Sequence, residues 1–158
     1  MFFLLFPILI WSLSVNLPLA CAAFINCVIL VHCMDRDVKD WWRQTEADID
    51  SARFALHGEK YYVTVIFAQQ AAEKALKTIF LRRNNKLPPK IHDLVELCAL
   101  ISAPSDIVQR ARELSSTYFS SRYPGAAPKI PVDYYNQKKA AFFLQCAEVV
   151  VVWARKNL

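Results

Sequence analysis

The sequence YYVTVIFAQQAAEKALKTIFLRR, from Tyr61 to Arg83, decides how this chain folds. One face of the helix that it predicts combines small and larger apolar residues: Ala68, Ala71, Ala72, Ala75, Val65, Leu76, Ile79 and Phe80. Alanine on this face allows a neighbouring helix to approach closely. The other face is polar and ends in Arg82 and Arg83. The pattern indicates one helix of a bundle, with an exposed basic side that can meet an anion.

The flanking sequence predicts a chain built only of helices. A first helix is expected from about Asp35 to Leu56, and a shorter one from about His92 to Ile101. Pro104 interrupts the apolar pattern, and Ser105 is the expected N-cap of the segment that follows. There is no strand pattern and there are only two glycines. The sequence therefore predicts an all-α, antiparallel (up-down) four-helix bundle with one helix broken at Pro104.

A long irregular segment precedes the last predicted helix. Residues 120–131 contain three prolines and Gly125, a composition that excludes a helix. Asp133 is the expected N-cap of the last helix. The apolar stripe predicted for this helix consists of Tyr135, Phe142, Cys146, Val149 and Trp153.

Charge is distributed unevenly along the chain. The formal net charge is +5, and all 19 basic and 14 acidic residues lie from Asp35 onward. Residues 1–33 are an apolar N-terminal extension, whereas residues 34–158 are long enough to form one domain with its own core. The extension has three explanations: an over-extended reading frame whose true start is Met34, a membrane segment, or a cleaved signal peptide.

Residue spacing gives no sign of a metal site or a cofactor. In the domain, only Cys98 and Cys146 occur, without a CxxC pair or a Cys/His ligand spacing. The sequence also lacks a phosphate-binding glycine loop, a nucleophile elbow and a carboxylate cluster with metal-ligand spacing. We therefore expect a cytoplasmic protein without metal or cofactor. The alternative is a membrane-anchored protein, if residues 1–33 are expressed.

Four motifs occur in order along the domain: WRQTEAD at 42–48, AQQAAEKALK at 68–77, HDL at 92–94 and SRYP at 121–124. Together with the helix pattern, over residues 35–156, they resemble the HEPN domain family in its small stand-alone prokaryotic branch. The resemblance implies a four-helix bundle that forms a homodimer and binds nucleotide or RNA. It also implies a nucleotidyltransferase partner protein, frequently in a toxin–antitoxin-like pair.

Many members of the family that the chain resembles are ribonucleases, in which an Arg stabilises the phosphate and a His a few residues later acts on the 2′-hydroxyl. This chain departs from that pattern, because the positions after Arg122 hold Gly125, Ala126, Ala127, Pro128 and Lys129. Without a group that titrates near neutral pH, cleavage loses a large factor in rate. The sequence therefore favours a binding module. The alternative is a metal-independent ribonuclease with a non-standard site, using Arg122 and a distant His92.

The candidate nucleotide- or RNA-binding residues are Lys74, Arg82, His92, Arg122 and Tyr123, and no catalytic residue is assigned. Arg122 offers a fork for phosphate, and Tyr123 offers a ring for base stacking. Alternatively, Tyr123 packs inside the fold and Arg122 pairs with a carboxylate across the bundle.

The other candidates also have structural alternatives. Lys74 and Arg82 would hold an anion by charge alone, or they belong to a solvated helix face. Lys77 is assigned to that solvated face, where it forms an i, i+4 pair with Glu73. His92 either contacts a phosphate at a helix start or is an ordinary surface residue.

Overall fold

The computed structural model describes the backbone of residues 19–158 and the side chains of residues 35–158. Helix is the only regular secondary structure in this described part, so the all-α prediction is confirmed. The antiparallel order of four main helices stays a prediction. The helices are α1 (Leu19–His57), α2 (Tyr61–Asn84), α3 (Leu94–Leu100), α4 (Ser105–Ser115), α5 (Thr117–Ser120), α6 (Pro131–Tyr134) and α7 (Gln137–Lys156).

Helix α1 begins earlier than the predicted start at Asp35. No proline or glycine separates Leu19 from Asp35, and the alanine and apolar residues between them are compatible with a helix. Contacts divide the chain into Met1–Cys33 and Met34–Leu158. The three explanations given for the apolar extension, residues 1–33, depend on residues whose side chains lie outside the described range. Among the described helices, none combines the length and the apolar character that a membrane span needs.

The core is centred on the small residues of α2. Ala68, Ala71, Ala72 and Ala75 are fully buried, as their shared face predicts. Helix α2 packs along α7, whose buried face is also rich in alanine, at Ala140, Ala147 and Ala154. Because these side chains end at Cβ, the two helices can approach closely.

The stripe predicted for α7 was wrong at two positions. Phe142 and Val149 are 41% and 37% exposed, whereas Cys146 is buried as predicted. The prediction placed bulky residues inward, but the close packing against α2 selects small ones. The buried residues of α7 are Ala140, Leu144, Cys146, Ala147, Val150, Val151 and Ala154.

Two predicted helix caps were also wrong. Ser105 is the first residue of α4, and Pro104 occupies the N-cap position without a side-chain hydrogen bond. Asp133 lies inside α6. The N-cap of α7 is Asn136, whose Oδ1 accepts a hydrogen bond from the Lys139 amide at 3.0 Å. Asn136 has the extended backbone that an N-cap needs.

The short helix α3 is tied to the end of α4. Oδ1 of Asp93 accepts hydrogen bonds from the Val95 amide at 2.8 Å and from the Ser115 hydroxyl at 3.1 Å. The Ser115 hydroxyl in turn accepts from the Leu94 amide at 2.8 Å. Asp93 therefore caps α3 and also fixes it to its neighbour.

Candidate functional site

Arg122 lies just after α5 and is held mainly by that helix. The Arg122 amide donates to the Phe119 carbonyl at 3.0 Å. Its Nη1 donates to the Tyr118 carbonyl at 2.8 Å, and its Nη2 donates to Oε1 of Gln69 at 2.9 Å. The guanidinium carbon also lies 4.5 Å from the centre of the Tyr118 ring. Burial removes part of the hydration of the charged guanidinium, and this lowers the pKa of Arg122. No described carboxylate is hydrogen-bonded to the guanidinium to offset that loss.

Glu73 is the centre of the polar contacts on the same side of α2. Its carboxylate accepts from Gln69 Nε2 at 3.0 Å and pairs with Lys77 Nζ at 2.8 Å and His92 Nδ1 at 3.1 Å. Burial alone would raise the pKa of Glu73. The hydrogen bond and charge of Lys77, with Gln69 and His92, outweigh burial and lower the pKa below its usual value. The carboxylate is therefore ionised at neutral pH.

This carboxylate fixes the orientation of His92. An ionised carboxylate only accepts hydrogen bonds, so Nδ1 must be the donor. In the neutral ring, Nε2 then carries the free lone pair. The imidazole also stacks on the ring of Tyr118, with ring centres 5.0 Å apart. Tyr118 thus contacts both His92 and Arg122, and we name Gln69, Glu73, His92, Tyr118 and Arg122 the Arg–His cluster.

A small hollow of about 180 Å³ lies beside the Arg–His cluster. It is lined by His92, Asp93, Ser115, Tyr118 and Phe119. Pockets that enclose a drug-sized ligand usually measure about 300–1,000 Å³. The hollow is therefore smaller than sites of that kind, and its lining includes the Asp93 carboxylate but not Arg122.

The fold brings together only some of the predicted site residues. His92 and Arg122 share the Arg–His cluster, and Tyr123 is 56% exposed with its ring 6.2 Å from that of Phe119. Lys74 instead forms an ion pair with the buried carboxylate of Asp48. Arg82 pairs with Asp35 at 3.5 Å. Within residues 35–158, no side-chain hydrogen bond or ion pair joins Lys74 or Arg82 to the cluster.

Two of the structural alternatives need correction. Lys77 is not on a solvated face, since it is only 5% exposed, although its predicted pair with Glu73 is confirmed. The partner of Arg122 across the bundle is the amide of Gln69, not a carboxylate. The oxygens of Glu73 already accept from Lys77, Gln69 and His92. Arg122 instead contacts the side-chain amide of Gln69, one helical turn before Glu73.

Sequence reasoning missed Gln69, Glu73 and Tyr118 as parts of the site. Gln69 and Glu73 lie in the motif at 68–77, where Glu73 is predicted only to pair with Lys77, and the sequence assigns no role to Tyr118. A signal was present in the i, i+4 spacing of Gln69, Glu73 and Lys77, which places them on one helix face. Tyr118 lies one turn before Arg122.

Comparisons with known proteins agree with this architecture. Residues 38–157 match the family model of the HEPN domain. The crystal structure of TT1696 from Thermus thermophilus is 29% identical with a TM-score of 0.70, covering 77% of this chain and 98% of that one. The crystal structure of ST0689, an archaeal HEPN homologue, is 32% identical with a TM-score of 0.66, covering 75% of this chain and 95% of that one.

No curated protein matches the chain significantly. The family match nevertheless spans most of the sequence, and the two solved structures match along almost their whole length. The chain therefore belongs to the HEPN domain family, a helical fold related to nucleotides and RNA.

Proposed function

We propose that this protein binds nucleotide or RNA by holding a phosphate at Arg122 and His92. The observation that carries the proposal is the set of partners of Arg122. Two carbonyl-type oxygens and an aromatic ring position its guanidinium, and no described carboxylate is bonded to it directly. Burial disfavours the charged guanidinium, and a bound phosphate would stabilise it as a partner of opposite charge.

The surroundings of Arg122 support a phosphate as the bound group. Within the described residues, its side-chain hydrogen bonds involve Nη1 and Nη2 only. An arginine has five N–H donors, so some remain for a ligand. The exposed ring of Tyr123 offers a surface for a base. Lys74 and Arg82 stay in the proposal as longer-range charges, since each has a carboxylate partner.

The proposal includes partner proteins. Family membership supports a cytoplasmic homodimer that acts with a nucleotidyltransferase partner, as in a toxin–antitoxin-like pair. Light scattering over a range of concentrations tests the dimer, and a monomer mass throughout would contradict it. Co-expression with a nucleotidyltransferase encoded beside this chain, followed by co-purification, tests the partner protein. Separate elution of the two proteins would exclude a stable complex.

One titration tests the binding function. The full chain is titrated into labelled RNA and, separately, into ATP, while RNA integrity is followed on a gel. Arg122→Ala should weaken binding about 10- to 100-fold, as expected for hydrogen bonds to a charged group. Arg82→Ala is the matched control, because it removes the same charge from an ion-paired site. Equal losses in the two variants would contradict the assignment to Arg122.

The Glu73–His92 pair favours a second candidate, a metal-independent ribonuclease. The carboxylate holds Nδ1, so Nε2 is free to take the proton of an RNA 2′-hydroxyl. The 2′-oxygen would then bond to phosphorus, the bond to the 5′-oxygen would break, and that oxygen would take a proton from water. Arg122 would stabilise the charge on the phosphate.

A His92→Gln variant separates the two functions. If the protein is a ribonuclease, this change should abolish cleavage in the presence of EDTA while leaving RNA affinity within about threefold. RNA that stays intact with excess unmodified protein would exclude the ribonuclease and leave the binding function in place.

A further inference from the structure

A larger cavity lies on the opposite side of α5 from the Arg–His cluster. Its volume is about 600 Å³, within the range of small-molecule sites. Thr117 and Ser120 of α5 line this cavity, whereas Tyr118 and Phe119 line the hollow beside His92. Its other walls are residues 126–128, α6 and the first turns of α7, and we name it the α5–α7 cavity.

Aromatic rings form much of the wall of the α5–α7 cavity. Tyr134, Tyr135, Phe142 and Phe143 all line it. The Tyr135 hydroxyl is 2.7 Å from the Ser120 hydroxyl, which fixes that ring, whereas Phe142 is 41% exposed. An exposed phenylalanine at a concave surface offers an aromatic face to a flat ligand.

Positive charge lies at the same cavity. Lys138 and Lys139 both line it, and none of its described lining residues is acidic. The Lys139 ammonium donates to the Tyr134 carbonyl at 3.1 Å and lies 3.5 Å from the centre of the Tyr134 ring. These partners are neutral. The cavity therefore combines stacking surfaces with lysine charge that no described carboxylate pairs with.

We propose that the α5–α7 cavity binds a nucleotide, with the base against Phe142 and Tyr134 and the phosphate at Lys138 and Lys139. The ligand would be a free nucleotide or one nucleotide of an RNA chain. The RNA source rests on the function proposed above.

Calorimetric titration of the full chain with AMP tests the cavity. Phe142→Ala should weaken AMP binding at least fivefold, in keeping with the loss of one stacking contact. Lys138→Gln should weaken it about threefold through the loss of one phosphate charge. The matched controls are Phe54→Ala, another exposed aromatic residue, and Lys156→Gln at the far end of α7. Both controls should stay within twofold, and circular dichroism confirms folding of every variant.

Several outcomes would overturn the cavity proposal. AMP that does not bind at millimolar concentration would do so, as would AMP binding that is unchanged in both Phe142→Ala and Lys138→Gln. AMP binding lost only in Arg122→Ala would place the nucleotide at the Arg–His cluster instead.

A parallel titration with a short RNA separates this proposal from the proposed function. RNA binding that depends on Arg122, with no AMP binding, would reject the cavity and retain the function. AMP binding that depends on Phe142, with RNA binding indifferent to Arg122, would retain the cavity and reject the function. If Phe142→Ala weakens RNA as well as AMP, the nucleotide belongs to an RNA chain. If it weakens AMP alone, the ligand is a free nucleotide.

Discussion

Most basic residues of α2 have partners that differ from those of the basic residues near the end of α5 and the start of α7. On α2, Lys77 pairs with Glu73, Lys74 with Asp48 of α1, and Arg82 with Asp35. Near α5 and α7, Arg122 and Lys139 bond to carbonyl and amide oxygens and lie over tyrosine rings. The fourth basic residue of α2, Arg83, donates to the Ile101 carbonyl. Three of the four basic residues of α2 thus have a carboxylate partner, whereas no described carboxylate pairs with Arg122 or Lys139.

This difference shows that the density of basic residues along a sequence does not locate an anion site. Helix α2 contains four Lys and Arg residues, and folding brings a carboxylate to three of them. A basic side chain beside a carboxylate attracts a phosphate less strongly than one without such a partner. The sparser region around Arg122 is the better candidate, because a neutral partner positions a charge without cancelling it.

The strongest test of the comparison is to break the ion pair of Lys77. Lys77→Met leaves Glu73 buried without its ammonium, and we expect a loss of about 3 kcal/mol in the free energy of unfolding. Urea denaturation measures this loss. Arg82→Met removes an exposed pair and should cost less than about 0.5 kcal/mol. Similar losses in the two variants would show that Lys77 is not held as a structural charge.

A second test asks whether geometry matters as well as charge. Arg122→Lys keeps the charge but removes the fork that Gln69 and Tyr118 position, so RNA affinity should fall about tenfold. Arg82→Lys is the matched control and should leave affinity within twofold. Fluorescence anisotropy with a labelled RNA gives both values. Full affinity in Arg122→Lys would mean that only net charge is recognised.

The pH dependence of stability gives a third test. The pKa of Glu73 is lower in the folded protein than its ordinary value of 4.5. Its stabilising contribution is therefore fully present above about pH 4.5 and is lost as the pH falls through the folded-state pKa. Between pH 6 and pH 3, the free energy of unfolding should fall more steeply in the unmodified protein than in Glu73→Gln. Parallel curves would show that the charge of Glu73 adds nothing to stability.

The smallest expected effect comes from freeing a paired charge. Asp35→Asn releases Arg82 and should raise RNA affinity about twofold, as expected for one further weak phosphate contact. Asp40→Asn changes the net charge equally, yet Asp40 forms no ion pair with any described residue. An equal rise in both variants would indicate a net-charge effect and weaken the contrast between the two regions.

The parts of the fold that depend on local sequence could be predicted. Alanine spacing located the buried face of α2, and the prolines located the break at Pro104 and the irregular segment after α5. The Arg–His cluster could not be predicted, because its contacts join distant positions. Gln69 and Arg122 are 53 residues apart, and Glu73 and His92 are 19 apart. Only the packing of the helices decides which of these side chains meet.

Asp93 and Ser115 set a limit on how long the site stays assembled. Helix α3 has only seven residues, too few to persist without its neighbours. Its amides should therefore exchange with solvent together with those of the last turn of α4, as one cooperative unit. His92 directly precedes Asp93, so each opening of this unit also separates the imidazole from Tyr118. We therefore expect the contact between His92 and Tyr118 to last only as long as the hydrogen bond between Asp93 and Ser115 stays closed.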